Sequence, residues 1–232
     1  MRTAPGSDAD WLASAVGYHA RDTALLACAL THRSAGGSDN ERLEFLGDAV
    51  LSFVVAGLLY EEFANSDEGD LTRYRAALVS GDVVAAVGRD CGIGERLRLG
   101  PGELRSGGFR RPSILGDAFE AVLGFIYLDG GIEGVREVIH RLWRSRLDAL
   151  RATPPEKDPK TRLQEWLQGR SLALPEYVEE SVRGEPHART FTVVCRVSDP
   201  SAQARGVGSS RRRAEQRAAE QVLAALLQGN EA

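Results

Sequence analysis

Cysteine, histidine and the common nucleotide-binding motifs are scarce or absent in this 232-residue sequence. The three cysteines, Cys28, Cys91 and Cys195, are far apart and form no Cys-x-x-Cys pair, so we predict neither a disulfide framework nor a zinc site. The four histidines are scattered, and no phosphate loop, nucleophile elbow or His-Glu-x-x-His motif is found. These absences exclude several large enzyme classes and leave the carboxylates as the candidates for chemistry.

Long apolar runs are scarce too. Residues 1–17 contain no segment typical of a signal peptide, and the sequence suggests no stretch near the roughly 18 apolar residues that span a bilayer. We therefore predict a cytoplasmic protein without a membrane partner. The net charge of −4 is unevenly distributed, because residues 1–157 contain 18 Lys and Arg against 23 Asp and Glu, whereas residues 158–232 contain 11 against 10.

The hydrophobic periodicity divides the chain into two domains. Residues 1–151 show helical patterns and no alternating strand pattern, which predicts an all-α domain in which residues 100–112 form a loop. Three prolines within residues 152–159 predict a semi-rigid linker over 152–157. Residues 158–228 then read as a small α+β domain of order α-β-β-β-α, opened by a helix with Asp158 as its N-cap and Pro159 at its first position.

One predicted helix, which begins after Asp39 or Asn40 as N-cap, has an unusual distribution of charge. Glu41, Glu44 and Asp48 fall within about 60° of arc at 100° per residue, so they share one face. The opposite face is apolar and is expected to be buried; it consists of Leu43, Leu46, Val50, Phe53 and Val54. The simplest interpretation is a solvated acidic face, but the segment continues as a nearly uniform apolar run, which is typical of a central helix.

A second apolar helix, predicted over residues 113–128 and ended at 129–131, has the same feature. Asp117 and Glu120 are three positions apart and lie on one face, while the remainder of the helix is apolar. If the two helices face each other, Glu44, Asp48, Asp117 and Glu120 converge. Four carboxylates without histidine or thiolate favour Mg²⁺, with Mn²⁺ as a substitute, and such an ion activates water and stabilises a phosphoryl group in transfer.

Residues 40–51 and 112–121 resemble the two catalytic segments of the ribonuclease III family, and residues 158–228 resemble the double-stranded RNA-binding domain of its bacterial members. The resemblance implies an endoribonuclease that cuts double-stranded RNA to 5′-phosphate and 3′-hydroxyl ends, acts on ribosomal RNA precursors and messenger RNA, and works as a homodimer of the helical domain without a small-molecule cofactor. It implies that the metal-binding catalytic carboxylates are Glu44, Asp48, Asp117 and Glu120, with turnover depending most on Asp48 and Glu120. It gives Glu41 and Glu68 supporting catalytic roles.

The resemblance also assigns RNA contacts in the second domain. Residues 206–214, Gly-Val-Gly-Ser-Ser-Arg-Arg-Arg-Ala, resemble the segment that binds phosphates across the major groove, with arginine in place of two lysines. The implied RNA-binding residues are Gln164, Glu165, His187, Ser210, Arg211 and Arg212. Two other functions stay open from the sequence: a catalytically silent double-stranded RNA-binding protein, and a metal-dependent hydrolase of small phosphorylated metabolites.

Overall fold

The structure, a computed structural model, describes residues 6–155, 157–185 and 188–229. The chain divides into two compact units, and the division falls after Pro155. In the described part of the first unit the secondary structure is helical, apart from an isolated bridge between Thr31 and Arg98. Its helices are α1 (Asp8–Trp11, continued as a π-helical turn over Leu12–Val16), α2 (Thr23–Ala29), α3 (Glu41–Glu62), α4 (Glu68–Leu78), α5 (Gly81–Asp90), α6 (Pro101–Arg105) and α7 (Pro112–Ala152).

Helices α3 and α7 form the centre of the first unit. The predicted interruption after residue 128 is confirmed, because Gly131 lies within α7 with a φ of 74° and a ψ of −173° and breaks its helical path. The apolar side of the first half of α7 is fully buried, as expected from its pattern; it includes Leu115, Phe119, Val122, Leu123 and Ile126. The predicted all-α fold is therefore confirmed.

Two glycines set the distance between α3 and α7. A Cβ atom added at Gly47 would lie 1.7 Å from the carbonyl oxygen of Glu120, and one added at Gly124 would lie 2.2 Å from the carbonyl oxygen of Leu43. The two backbones are thus in direct contact at this crossing, which no residue with a side chain permits without movement. Because Gly47 lies between Glu44 and Asp48, the crossing brings the acidic residues of both helices together.

Helix α3 also has an exposed apolar face. Phe45, Phe53 and Tyr60 are 80%, 69% and 75% exposed, so the expectation that Phe53 belongs to the buried stripe is wrong. Among the described residues, α3 alone is long and apolar enough to cross a membrane by length and composition, although the sequence suggested that no stretch came near this limit. Core helices of other proteins pass the same test, and 44% of the apolar window is buried inside the unit.

Residues 100–112 were predicted to form a loop, but they contain α6 and a 3₁₀ turn over Gly108–Arg110. Pro101 at the first position of α6 supplies a φ that suits a helix, and the glycine-rich composition concealed this short element from the sequence. Just before this segment, the backbone carbonyl of Arg98 accepts a hydrogen bond from the backbone N–H of His32. This bond connects Arg98 to the chain before α3.

The second unit has the predicted order α-β-β-β-α. It consists of α8 (Pro159–Gln168), β1 (Glu176–Arg183), β2 (Thr190–Val197), β3 (Ala202–Gly208) and α9 (Arg211–Gly229). The strands form an antiparallel sheet in the order β1-β2-β3, with a bulge in β1 between Glu179 and Ser181. Asp158 caps α8 by accepting a hydrogen bond from the N–H of Lys160, as predicted. The predicted apolar face of α9 is buried against the sheet and comprises Ala214, Ala218, Val222 and Leu226.

Candidate metal centre and nucleic-acid interface

Three carboxylates converge where α3 and α7 cross. One oxygen from each of Glu44, Asp117 and Glu120 lies within 4.8 Å of the others, and all three residues are partly buried. Glu44 lies one turn from the Gly47 contact, while Asp117 and Glu120 lie on the facing turn of α7. The convergence predicted from the two sequence patterns is therefore present for these three residues.

Asp48 lies next to this set but outside it. It is exposed, one turn along α3 from Glu44, and its carboxylate is not among the oxygens within 4.8 Å of one another. Its charge nevertheless acts on the cluster, because Asp48 is the strongest of the neighbouring charges that raise the pKa of Glu120. The three partly buried carboxylates thus form an inner set, and Asp48 borders it on the solvent side.

The electrostatics of the cluster are repulsive. Burial, together with the charges of Asp48, Asp117 and Glu44, raises the pKa of Glu120 to about 7. Burial also raises the pKa of Glu44, assisted by Asp117 and Glu41. Such crowding of negative charge in a partly buried position disfavours the ionised form unless a cation is present.

The donor set fits a divalent metal ion. It offers only carboxylate oxygens, which suit Mg²⁺, Ca²⁺ or Mn²⁺ rather than zinc or copper. The mutual repulsion that raises the pKa of Glu120 and Glu44 would be relieved by two positive charges at the point of convergence. The spacing of the acids along the sequence and the geometry of this chain therefore agree on an acidic site able to hold a metal ion.

A cavity of about 400 Å³ opens beside two of these carboxylates. It lies between the first turns of α5 and α7, where backbone N–H groups at helix starts favour negative charge. The lining residues are Ser80, Gly81, Asp82, Pro112, Ser113, Gly116, Asp117 and Glu120. Asp117 and Glu120 therefore border an open cavity.

The two supporting acids lie outside the inner set. Glu41 is exposed and forms an ion pair with Arg33, with 3.1 Å between Oε1 and Nη1. Glu68 is exposed in the first turn of α4 and accepts a hydrogen bond of 2.9 Å from the hydroxyl of Thr72. Neither contributes an oxygen to the group of three carboxylates.

The RNA-binding positions inferred from the sequence are at the surface of the second unit. Gln164 and Glu165 are exposed on α8, where Glu165 accepts a hydrogen bond of 2.9 Å from the ammonium of Lys157. Ser210 precedes α9, and Arg211 and Arg212 open it; Arg212 has 81% of its side chain exposed and lies 3.7 Å from Asp158. His187 lies outside the described residues. The cationic start of α9 is thus accessible to a polyanion.

The sequence analysis missed several glycines whose lack of a side chain makes these sites possible. Gly47 and Gly124 permit the crossing of α3 and α7. In the second unit, a Cβ atom at Gly206 would lie 1.9 Å from the carbonyl oxygen of Ala214, so Gly206 allows β3 to approach the start of α9. A glycine within an apolar helix or strand is a signal of close backbone approach, and this signal was present.

Comparisons with known proteins match both units of the chain. The Ribonuclease-III-like family model matches residues 22–146, and the double-stranded RNA binding motif matches residues 159–226. Ribonuclease 3 of Vibrio cholerae is 51% identical over 218 residues, 94% of this chain and 97% of that protein. Ribonuclease 3 of Vibrio parahaemolyticus is 52% identical over 223 residues, 96% of this chain and 99% of that protein.

A solved structure is also similar to part of the chain. It is a nuclease domain of ribonuclease III from Campylobacter jejuni, described for flexibility in a region involved in dimer formation. It shares 40% sequence identity with a TM-score of 0.58 and covers 60% of this chain and 98% of its own.

Proposed function

The chain belongs to the ribonuclease III family and is an endoribonuclease specific for double-stranded RNA, and on this basis we propose that its reaction depends on Mg²⁺ held by Glu44, Asp48, Asp117 and Glu120. The observation that carries the proposal is the convergence of three carboxylate oxygens within 4.8 Å at the crossing of α3 and α7. Mn²⁺ offers the same preference for oxygen and is proposed as a substitute.

A divalent ion at this position would lower the pKa of bound water and neutralise charge on the reacting phosphate. Glu44, Asp117 and Glu120 would hold the ion from the protein side, since they are partly buried and fixed by the helix crossing. Asp48 is exposed one turn away, so it would border the ion on the side open to an RNA strand. Hydrolysis adds water across the P–O3′ bond, so the proposed products carry 5′-phosphate and 3′-hydroxyl ends.

We propose that the exposed apolar face of α3 joins two copies of the chain. Phe45, Phe53 and Tyr60 project from the first unit, and a cavity of about 290 Å³ lies beside Phe53. The cavity is lined by apolar residues from α3 and α7, namely Leu46, Ala49, Val50, Phe53, Tyr127 and Ile132. An exposed apolar surface of this kind is typical of a protein interface. A dimer supplies two carboxylate clusters, one for each strand of a duplex.

The division of labour follows the proposed domains: residues 1–151 for cleavage and dimerisation, 152–157 as linker, and 158–228 for duplex binding. In the second domain, Gln164, Glu165 and His187 are proposed to contact minor grooves, and Ser210, Arg211 and Arg212 the phosphates between them. Glu41 and Glu68 are proposed to support the cluster. Ribosomal RNA precursors and messenger RNA in the cytoplasm are the proposed substrates.

The proposal is tested with Asp48→Ala and Glu120→Ala. We expect either variant to lose cleavage of a long duplex in Mg²⁺ and to keep duplex binding, since the second unit is untouched. The wild-type protein in EDTA should behave in the same way. Undiminished cleavage by both variants would refute the assignment of the cluster.

A further inference from the structure

A short, well-anchored turn precedes α3 and presents one arginine. Residues Arg33–Ala35 form a 3₁₀ turn whose N-cap is His32, and the ring nitrogen of His32 accepts a hydrogen bond of 3.2 Å from the N–H of Ser34. The hydroxyl of Ser34 accepts a hydrogen bond of 2.9 Å from the N–H of Gly100. The turn is therefore tied on both sides, and the backbone of Arg33 has a fixed position.

Arg33 is paired with the acid that the catalytic proposal leaves without a defined task. Its guanidinium lies 3.1 Å from Glu41, and the two side chains are 70% and 53% exposed. An ion pair this exposed contributes little to stability. Glu41 lies one turn before Glu44 on α3, so the pair lies at the rim of the carboxylate cluster.

The charge of Arg33 reaches the inner carboxylates. It is one of the positive charges that act on Glu44 and Asp117. Arg111, at the start of α7, differs because two oxygens of the largely buried Glu103 bind it at 2.8 and 3.0 Å. Within the part of the chain that the structure describes, Arg33 is thus held by one exposed contact, and a guanidinium that engages Glu41 in this way keeps further N–H donors for a second ligand.

Given the duplex cleavage proposed above, we propose that Arg33 binds a backbone phosphate of the RNA strand beside the carboxylate cluster, and that Glu41 is the positioning residue that orients it. The guanidinium offers paired N–H donors that match two phosphate oxygens, which an ammonium does not. A polyanion approaching a cluster of acids needs such a cation at the rim. Glu41 then acts on the RNA through Arg33, and its contact limits the guanidinium to the side of the turn that faces α3.

The test is a double-mutant cycle with Arg33→Ala, Glu41→Gln and both together, assayed on a defined duplex in Mg²⁺. For Arg33→Ala we expect KM to rise about tenfold, as for loss of one charge-assisted hydrogen bond, with kcat nearly unchanged. Arg33→Lys should recover only part of this loss. The slope of log KM against log salt should fall by about one for each Arg33 in contact with a phosphate.

The decisive readout is the coupling between the two residues. If Glu41 acts by positioning Arg33, Glu41→Gln raises KM in the wild type but adds nothing in the Arg33→Ala background. The Mg²⁺ concentration for half-maximal rate should stay the same. Additive effects, or a Glu41→Gln effect confined to the Mg²⁺ requirement, would overturn the proposal.

Asp90 and Arg146 form a matched control pair. Their side chains are 3.3 Å apart between the end of α5 and the later part of α7, and neither residue belongs to the carboxylate cluster. Asp90→Asn and Arg146→Ala should leave KM and its salt slope unchanged. A wild-type protein that fails to cleave duplex RNA would refute the proposed function itself. A wild-type protein that cleaves, with an Arg33→Ala variant of unaltered KM and salt slope, would refute the role of Arg33 alone.

Discussion

Replacing Glu120 by glutamine should stabilise the metal-free protein at neutral and alkaline pH. The pKa of Glu120 is raised from 4.5 to about 7 by burial and by neighbouring carboxylates. The folded state therefore favours the protonated carboxyl group of Glu120. Below pH 4.5 this group is protonated in the folded and unfolded states alike, so it does not lower the free energy of unfolding. As the pH rises through 7 the folded state must accept the charge, and the free energy of unfolding is lower by the cost of that charge.

The size of the effect follows from the same pKa. A rise from 4.5 to about 7 corresponds to at most about 3.5 kcal/mol, at about 1.4 kcal/mol per unit. The carboxylate is only partly buried, so solvent screening reduces the expected gain to about 1 to 2 kcal/mol. Glutamine keeps the shape and removes the charge. We therefore expect Glu120→Gln to exceed the wild type by this amount at pH 8 and to match it at pH 4.5.

Urea unfolding in EDTA at the two pH values measures this difference. Trp11 and Trp143 are both buried in the first unit, and their fluorescence follows the relevant transition. Glu137→Gln, an exposed position on the same helix, is the control and should be neutral at both pH values. Added Mg²⁺ should stabilise the wild type more than Glu120→Gln at pH 8. Equal stability of Glu120→Gln and wild type at pH 8, or an equal gain at pH 4.5, would show that the repulsion is not present.

Three further predictions concern packing, assembly and RNA binding. Gly124→Ala should lower the free energy of unfolding by about 1 to 3 kcal/mol in thermal unfolding, because the added Cβ would lie 2.2 Å from the carbonyl oxygen of Leu43. Gly102→Ala is the control and should be neutral, because the space around Gly102 is open. Phe53→Asp should shift the protein from dimer to monomer in sedimentation velocity at micromolar concentration, since it charges a side chain that is 69% exposed on the apolar face; an unchanged dimer would exclude this face as the interface. Arg212→Ala should weaken duplex binding and reduce its salt slope by about one, and an unchanged slope would mean that Arg212 contacts no phosphate.

Apart from α6, the sequence was sufficient for the main helices and strands and for the acids that face each other. Acids and apolar residues at helical spacing determine which side of α3 and α7 each occupies, so the meeting of Glu44 with Asp117 and Glu120 followed from periodicity. The short distance between these carboxylates did not follow from periodicity, because it depends on backbone contact at Gly47 and Gly124, and glycines within apolar helices were the available signal of that contact. Periodicity also could not place Asp48 outside the inner set.

The position of Phe53 illustrates a second limit. An apolar residue on a helix is equally suited to a core and to a surface that another chain covers, because the same loss of water contact stabilises both. The sequence therefore predicted burial for Phe53, whereas the single chain leaves it 69% exposed. The partner of Glu41 was similarly hidden, since Arg33 is eight residues away along a turn that no periodicity describes.

These features make α3 a helix with three separate uses. Leu43, Val50 and their neighbours face the core, Glu44 faces α7 with Asp48 on its solvent side, and Phe45 and Phe53 face outward. At about 100° per residue, Phe45 lies roughly a quarter-turn around the helix from Glu44, and the rigid geometry of the helix fixes that angle. The separation between a metal cluster and a partner subunit bound on the apolar face is therefore set by the helix itself. In a dimer formed on this face, the spacing of two cleavage sites would depend on α3 and not on the flanking loops.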